Sequence, residues 1–527
     1  MHFGAAFRAS VPGTREAIVT SRKPQSAAGR SLNEQMAFGA AWMTGARLGV
    51  QLLGLASTMI LARLLVPEDF GLIALAMSVV ALLDTLSHFG FEVPLIQKQD
   101  ATRDDFDTAW TLNILAGALI AATIVLVSPL AARFYSEPRL IPILQWIALS
   151  HFVFSFQNIG IVLFRKELNF RRDFALQIAQ KAATLAVSIP LVFAMRTYWA
   201  LVASMVAGRL ISVIISYGFL PYRPRLCLRS WRGLFGFSKW LQVNGILGYV
   251  RDQGFVLVVG RVLDAPSVGL FSMADEIAAL PSTTLVAPLN RAVFPGFARI
   301  SDQASRLRDS YRSMLGLVAL LAVPAAVGIA AVAPLAVPVM LGPNWQAAVP
   351  LLSLLALAGA TRTLTASTVS IQYATGQPQL QTYTTGLQAL TLLPMVVAGV
   401  TKMGVVGAAW AYLLHSLLVF MPISYWFLLR RTPIRFSDVW QPLWRPLAAA
   451  AVMFMAIRPV AAAWAVPGTL EALPRLVLMV GLGVLTYAAG IALLWWASGL
   501  PDGSERTVIR RGRDMARDFW RRRRPSA

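Results

Sequence analysis

The chain of 527 residues is 57% hydrophobic and 14% charged, with a mean hydropathy of +0.61, whereas soluble domains are about half apolar and about a quarter charged. This composition excludes an ordinary soluble domain and predicts a chain that lies mostly in lipid. The net charge of +22 is spread over loops and tails, which argues against nucleic acid as a partner. The single Cys227 and four scattered histidines argue against a disulfide framework and against a metal centre of ordinary ligand spacing.

Residues 1–36 are rich in Ser, Ala and Arg, lack a long apolar run and read as a basic cytoplasmic tail, not a cleaved leader. Met36 is a second candidate start. Apolar runs of about twenty residues, enough to cross a hydrocarbon core of about 30 Å, then recur in chain order. The first span, 37–62, carries Thr44, Arg47, Gln51, Gly54 and Thr58 three and four residues apart, on one helix face. The second, 69–91, carries Asp84, His88 and Glu92; the third is 108–130; the fourth, 140–163, carries His151, Ser155 and Asn158. The fifth, 174–195, has Gln177, Lys181, Thr184 and Ser188, and the sixth is 198–220.

The seventh span, 233–260, offers Ser238, Gln242, Tyr249 and Asp252 with Arg251 beside them. The eighth, 268–296, carries Asp275, Glu276, Thr283, Asn290 and Arg291; the ninth is 313–333. The tenth, 348–371, aligns Thr361, Arg362, Thr365 and Thr368 with Gln372 just beyond it, and the eleventh, 380–400, begins with Gln381, Thr384 and Gln388. Spans at 404–429, 446–463 and 474–497 follow, then a cytoplasmic Arg-rich tail over 498–527 that ends in the run Arg521 to Arg524. The expected fold is therefore an all-α integral membrane protein of about fourteen transmembrane helices.

Most of the 47 Lys and Arg fall in the tails and in alternate loops, whereas the opposite loops hold only Arg63, Arg133, Arg139, Arg196, Arg261, Lys402 and Arg475. Basic loops stay cytoplasmic, so both termini are expected inside. A shift of 198 residues superimposes 62–82 on 260–280, matching Arg63 to Arg261, Gly71 to Gly269 and Ala76 to Ala274. The offset spans six helices, an even number. The halves then share one orientation, and transporters built from such parallel repeats place the substrate between them. The expected domains are two six-helix lobes, 37–220 and 233–430, with two further helices in 440–497.

Polar side chains at helical spacing within lipid face the protein interior or a wet cavity. Arg47, Lys181, Arg251 and Arg362 stand in mid-span, where a cation costs at least about 2.5 kcal/mol, and are the candidate contacts for an anionic substrate, because arginine forks match phosphate and carboxylate. The embedded carboxylates Asp84, Asp275 and Glu276 either bind a coupling ion or neutralise the cations. No P-loop or nucleophile motif stands out, and no catalytic residue, metal or cofactor is expected.

The segments RLLVPEDFGLIAL (63–75), FGFEVPLIQKQ (89–99) and LFRKELNFRRDF (163–174) resemble the polysaccharide-transport family of lipid-linked oligosaccharide flippases, within the multidrug/oligosaccharidyl-lipid/polysaccharide exporter superfamily. The resemblance covers roughly residues 32–430. It implies a bacterial inner-membrane protein that flips an undecaprenyl-pyrophosphate-linked repeat unit for exopolysaccharide, capsule or O-antigen assembly by alternating access. Its implied partners are that lipid-linked anionic oligosaccharide and membrane lipids, with polysaccharide polymerase and chain-length machinery as candidates. Two other readings stay open: a multidrug or cation antiporter of the same superfamily, and a membrane polysaccharide polymerase or ligase.

Overall fold

The computed structural model describes residues 49–87 without 52, then 95, 98, 101–166, 170–220, 222–230, 239–464, 472–501 and 503–506. The expected N-terminal tail, Thr44, Arg47, His88, Glu92, Ser238 and the run Arg521 to Arg524 lie outside the described residues, as do the side chains of Gln242 and Arg291. Helix dominates, and no strand occurs among the described residues. In lipid a helix satisfies its backbone groups within one segment, so the chain is an all-α integral membrane protein.

The first half contains α1 (Gly49–Leu64), α2 (Pro67–Ser87), α3 (Arg103–Tyr135), α4 (Leu140–Phe154), the short α5 (Ile161–Lys166), α6 (Phe170–Met195) and α7 (Tyr198–Phe219). The second contains α8 (Lys239–Val262), α9 (Ala265–Ala278), α10 (Ala287–Arg299), α11 (Ala304–Met340), α12 (Ala348–Ala374), α13 (Pro378–His415) and α14 (Met421–Arg431), followed by α15 (Phe436–Ala463) and α16 (Ala472–Ala497). Among the described residues, eight helices are long and apolar enough to cross a membrane by length and composition, with α1 and α4 as shorter apolar helices. One of the eight, a continuous apolar stretch of 53 residues from Gln379 to Arg431, is not straight. Met403 and Gly404 leave helical geometry, Gly404 at φ +60°. Gly399 and Gly407 then abut each other's carbonyl, a contact that eight residues of straight helix, about 12 Å of rise, would forbid. The chain folds back there, at the break expected between 400 and 404.

Elsewhere the helices run beyond the apolar windows. The ninth window, 313–333, lies inside the 37-residue α11, because hydropathy marks only the lipid-embedded part, and the turns bearing Arg306, Arg308 and Arg312 continue the same helix. The fourth window breaks after Phe154, ahead of Asn158. Its side chain accepts from Gly160 N at 2.9 Å and donates to Tyr222 O at 2.8 Å, so it clamps a loop and does not extend a polar stripe.

The basic loop after α7 is strapped onto the start of α3. Thr102 and Asp105 cap α3 reciprocally. Buried Asp107 accepts from Tyr222 Oη at 2.6 Å and Arg225 N at 3.0 Å, and Thr111 Oγ1 accepts from Cys227 N at 3.0 Å.

Packing within the first half pairs α3 with α4, α4 with α7, and α6 with α7; in the second it pairs α8 with α13, α9 with α12, and α11 with α12. α15 and α16 both lie against α11. The halves meet mainly where α2 packs on α9 and α8. There Leu72, Leu75 and Ala76 join Val256, Val259, Phe271 and Ala274 in one buried cluster. Gly71 and Gly269 permit the approach: a Cβ on Gly71 would strike Ala265 O, and one on Gly269 would strike Pro67 O.

At the same end, fully buried Trp345 donates from Nε1 to Ala62 O at 2.8 Å and meets Phe70 edge-on at 5.3 Å. Arg63 donates to Val339 O, and Arg261 lies over the Phe134 ring at 6.0 Å. The repeat-related arginines thus each reach into the opposite half.

Candidate functional site

A polar cavity of ≈ 230 Å³ opens between α8, α12, α13 and α14. From α12 come Arg362, Thr365, Thr368 and Gln372, from α13 Gln381, Thr384 and Gln388, and from α8 Arg251 with Asp252. The stripes on these three helices converge because each follows the three-to-four-residue period of a helix face. The threonines answer mostly to their own helix: Thr365 Oγ1 donates to Thr361 O at 2.9 Å, Thr368 Oγ1 to Thr365 O at 2.7 Å and Thr384 Oγ1 to Leu380 O at 2.7 Å. Such back-bonding spends the hydroxyl proton and leaves an acceptor lone pair.

The open capacity lies elsewhere. Arg362 Nε, Gln372 Oε1, Gln388 Nε2 and Ser424 Oγ are buried without a hydrogen-bond partner, although Gln372 is 1% exposed. Buried polar groups are ordinarily paired; four orphans around one cavity mark a place made for a polar occupant. His415 also lines the cavity, with Nε2 2.9 Å from Thr391 Oγ1.

Both cavity arginines carry a carboxylate. Arg251 holds Asp252 through Nε and Nη2 at 2.7 and 2.9 Å. Arg362 Nη2 meets Asp275 Oδ1 at 2.9 Å, and its guanidinium lies 5.6 Å from the Tyr412 ring centroid. Asp275 therefore neutralises a cation at rest. Its neighbour Glu276 on α9 is exposed and does not line this cavity.

Lys181 lies apart from the cavity, its Nζ near the open side of Gly54 on α1. α1 reaches the second half at Gln51, whose Nε2 donates to Thr283 Oγ1 at 2.9 Å. Of the four expected cations, the structure brings Arg251 and Arg362 together and sets Lys181 apart, while Arg47 lies outside the described residues.

Asp84 belongs to a second cluster, in the first half. His151 Nε2 lies 3.3 Å from Asp84 Oδ1, and Arg209 Nη1 lies 3.5 Å from His151 Nδ1. The Arg209 guanidinium also sits 5.0 Å from the Phe154 ring centroid. Sequence reasoning placed Asp84 and His151 on polar stripes but missed Arg209; the signal was a lone in-span arginine. Arg458, another in-span cation, is held structurally by Ala330 O at 3.1 Å and Ser353 Oγ at 2.9 Å.

Comparison with known proteins supplies the family. Residues 60–350 match the family model described as polysaccharide biosynthesis protein. The chain is 27% identical over 396 residues to the lipopolysaccharide biosynthesis protein WzxC of Escherichia coli (strain K12), covering 74% of this chain and 80% of that protein. It is 24% identical over 427 residues to the teichuronic acid biosynthesis protein TuaB of Bacillus subtilis (strain 168), covering 80% and 88%. It is 23% identical over 482 residues to the succinoglycan biosynthesis transport protein ExoT of Rhizobium meliloti (strain 1021), covering 90% and 94%.

The fold is similar to that of the lipid II flippase MurJ, with a TM-score of 0.65 at 12% identity over 86% of this chain and 98% of that one. An inward-facing multidrug resistance MATE family transporter matches with a TM-score of 0.55 at 15% identity, over 74% and 99%. With its family model matched over more than half its length, the chain belongs to the polysaccharide biosynthesis protein family of integral membrane proteins.

Proposed function

We propose that this protein translocates a lipid-linked anionic oligosaccharide across the bacterial inner membrane, as a flippase serving polysaccharide assembly. The observation that carries the reading is the polar cavity with Arg251, Arg362 and four orphaned polar atoms, in a chain whose relatives are named for polysaccharide biosynthesis and transport. An apolar or cationic drug gains little from the unpartnered Arg362 N–H and the orphaned amide atoms. A pyrophosphate and its sugars supply both charge and hydroxyls.

In this reading the two repeat-related halves, 37–220 and 233–430, act as lobes, and 440–497 is an appendage. The basic loops face the cytoplasm, as do both termini. The Gly71–Gly269 contact and the Trp345 anchor then close the outer end, and the cavity is reached from inside. A phosphate entering the cavity would exchange with Asp275 at Arg362, freeing a carboxylate on α9. Because α9 also packs on α2 of the other lobe, that exchange reaches both lobes and biases them toward the alternate state. Alternating access needs such differential contact in two states. Recruitment of polymerase and chain-length machinery belongs to the same proposal and rests on the pathway named by the relatives.

The test is the sidedness of the lipid-linked oligosaccharide in a deletion strain, read with a membrane-impermeant sugar-binding probe on spheroplasts and on inverted vesicles. Complete repeat units confined to the cytoplasmic face are expected. Unpolymerised units reaching the outer face would instead assign the chain a role after translocation.

A further inference from the structure

Where α11, α15 and the segment after α16 meet at one end of the bundle, a polar pocket of ≈ 170 Å³ lies apart from the cavity described above. Asp309, Arg312 and Ser313 of α11, Arg445 of α15, and Ser504 and Glu505 beyond α16 line it, so two cations face two carboxylates. Arg445 sets its chemistry. The side chain is 8% exposed, and its ion pair with Glu505, from Nη2 at 3.3 Å, leaves Nε and Nη1 buried without a hydrogen-bond partner. Nε and Nη2 form one edge of the guanidinium fork, the edge that an anion takes with two parallel bonds. Glu505 occupies only the Nη2 half of it.

The segment that bears Glu505 is seated as a plug. Ser504 Oγ donates to Ser313 O at 3.2 Å, and Ser504 covers Gly316 so closely that a Cβ there would strike its hydroxyl. Trp495 Nε1 donates to Pro501 O at 3.1 Å, which turns the chain back toward α11.

Glu505 also borders a second space. An apolar groove of ≈ 650 Å³ runs between α11, α15 and α16, past Leu320, Pro324, Gly328, Met453 and Met479, and ends at Glu505. Tyr487, the aromatic hydroxyl in the groove, is satisfied by Leu320 O at 3.1 Å, so the groove walls offer hydrocarbon contact. A phosphate-sized pocket built on an under-used arginine, sharing Glu505 with a groove wide enough for an alkyl or isoprenyl chain, matches an amphiphile with an anionic phosphate head.

We propose that this pocket and groove bind a phosphate-bearing lipid, its phosphate on Arg445 and Arg312 and its chain between α11, α15 and α16, and that Glu505 is the intramolecular occupant it displaces. Binding there releases the Ser504–Glu505 plug and couples the lipid at the membrane surface to the position of the C-terminal segment. The site is distinct from the central cavity and stands whether or not that cavity carries the oligosaccharide.

The test uses the full-length protein in detergent, titrated with dioleoyl phosphatidic acid, dioleoylglycerol or inorganic phosphate, with bound lipid read by native mass spectrometry. Glu505→Gln is expected to bind phosphatidic acid about tenfold more tightly than the unaltered chain, and to be cut faster by protease after Leu500. The double variant Arg445→Gln/Glu505→Gln, which leaves no buried charge unpaired, is expected to lose that gain. Equal affinity of Glu505→Gln and the unaltered chain overturns the displacement. Retained tight binding by the double variant, or equal binding of dioleoylglycerol, overturns the arginine site. Competition by inorganic phosphate at lipid concentrations overturns the assignment to a lipid.

Discussion

Gly71 and Gly269, 198 residues apart, face each other reciprocally: the place of a Cβ on each is filled by the carbonyl oxygen four residues before the other, Ala265 and Pro67 respectively. The backbone nitrogens approach the same sites, Gly269 N at 3.1 Å and Gly71 N at 2.9 Å. The reciprocity is that of a local two-fold relation between α2 and α9. It rests on backbone, so no side chain can rotate away to make room.

Gly71→Ala and Gly269→Ala are each expected to force α2 from α9 and to destabilise the detergent-solubilised protein by about 1–3 kcal/mol, the usual cost of overpacking. Thermal unfolding of the purified variants measures this. The same substitution at Gly296, inside α10 where an added Cβ meets nothing within 4 Å, is expected to hold or slightly raise the midpoint.

Trp345→Ala removes a fully buried indole, its bond to Ala62 O and its contact with Phe70. A loss of about 3–5 kcal/mol is expected from the cavity left behind. Trp345→Phe restores most of the volume without the N–H, so its expected cost is smaller, nearer the 1–3 kcal/mol of an unmet buried acceptor.

Arg362→Gln leaves Asp275 without its ion-pair partner, and both folding yield and transport are expected to fall. Arg362→Gln combined with Asp275→Asn removes the pair without leaving either charge alone. Yield is expected to recover in the double variant while transport stays reduced by at least about tenfold, because the anion contact is gone. Export assays normalised to protein level separate these effects; full transport by the double variant would remove Arg362 from the substrate path.

The loop between α3 and α4 gives a pH dependence. Arg139 holds Glu137 at 2.7 Å through Nε and reaches Glu68 at 2.7 Å through Nη2. This bonding holds the Glu137 carboxyl below its usual range against the opposing effect of burial. A lowered native value means that the stabilisation is complete above the unfolded carboxylate range, about pH 4.3, and is lost as pH falls through the native value. Unfolding midpoints at pH 7 and pH 3 are expected to differ less in Glu137→Gln than in the unaltered chain. Arg139 is 41% exposed, so solvent screening keeps the effect small.

The fold was legible wherever the signal was local. Apolar windows found the helices, the 198-residue offset paired Gly71 with Gly269, and helical spacing placed Arg362, Thr365, Thr368 and Gln372 on one face. Partners were not legible, because they depend on which helices meet: Asp275 and Arg362 are 87 residues apart, and Glu505 reaches Arg445 from beyond the last helix. Spacing left Asp275 open between binding a coupling ion and neutralising a cation; the cavity arginines carry Asp252 and Asp275, since an isolated charge in this setting is far costlier than a paired one. Asn158 was misread for a related reason, its spacing fitting a stripe although the helix had already ended.

Outward movement of a pyrophosphate carries negative charge away from a negative interior, a drop of about 2.3 kcal/mol per charge per 100 mV. Collapsing the membrane potential with the pH gradient intact is therefore expected to slow export in cells. An unchanged rate would show that charge movement does not assist the step.

The central claim, that this chain itself moves the lipid-linked oligosaccharide, is tested most directly with purified protein in sealed vesicles containing a polyprenyl-pyrophosphate-linked repeat unit. A membrane-impermeant glycosidase attacks only the outer leaflet. The account expects the accessible fraction to rise toward completeness with the unaltered protein and to stay at the outer-leaflet share with the Arg362→Gln/Asp275→Asn variant; an accessible fraction that never exceeds the outer-leaflet share with the folded, unaltered protein would contradict it.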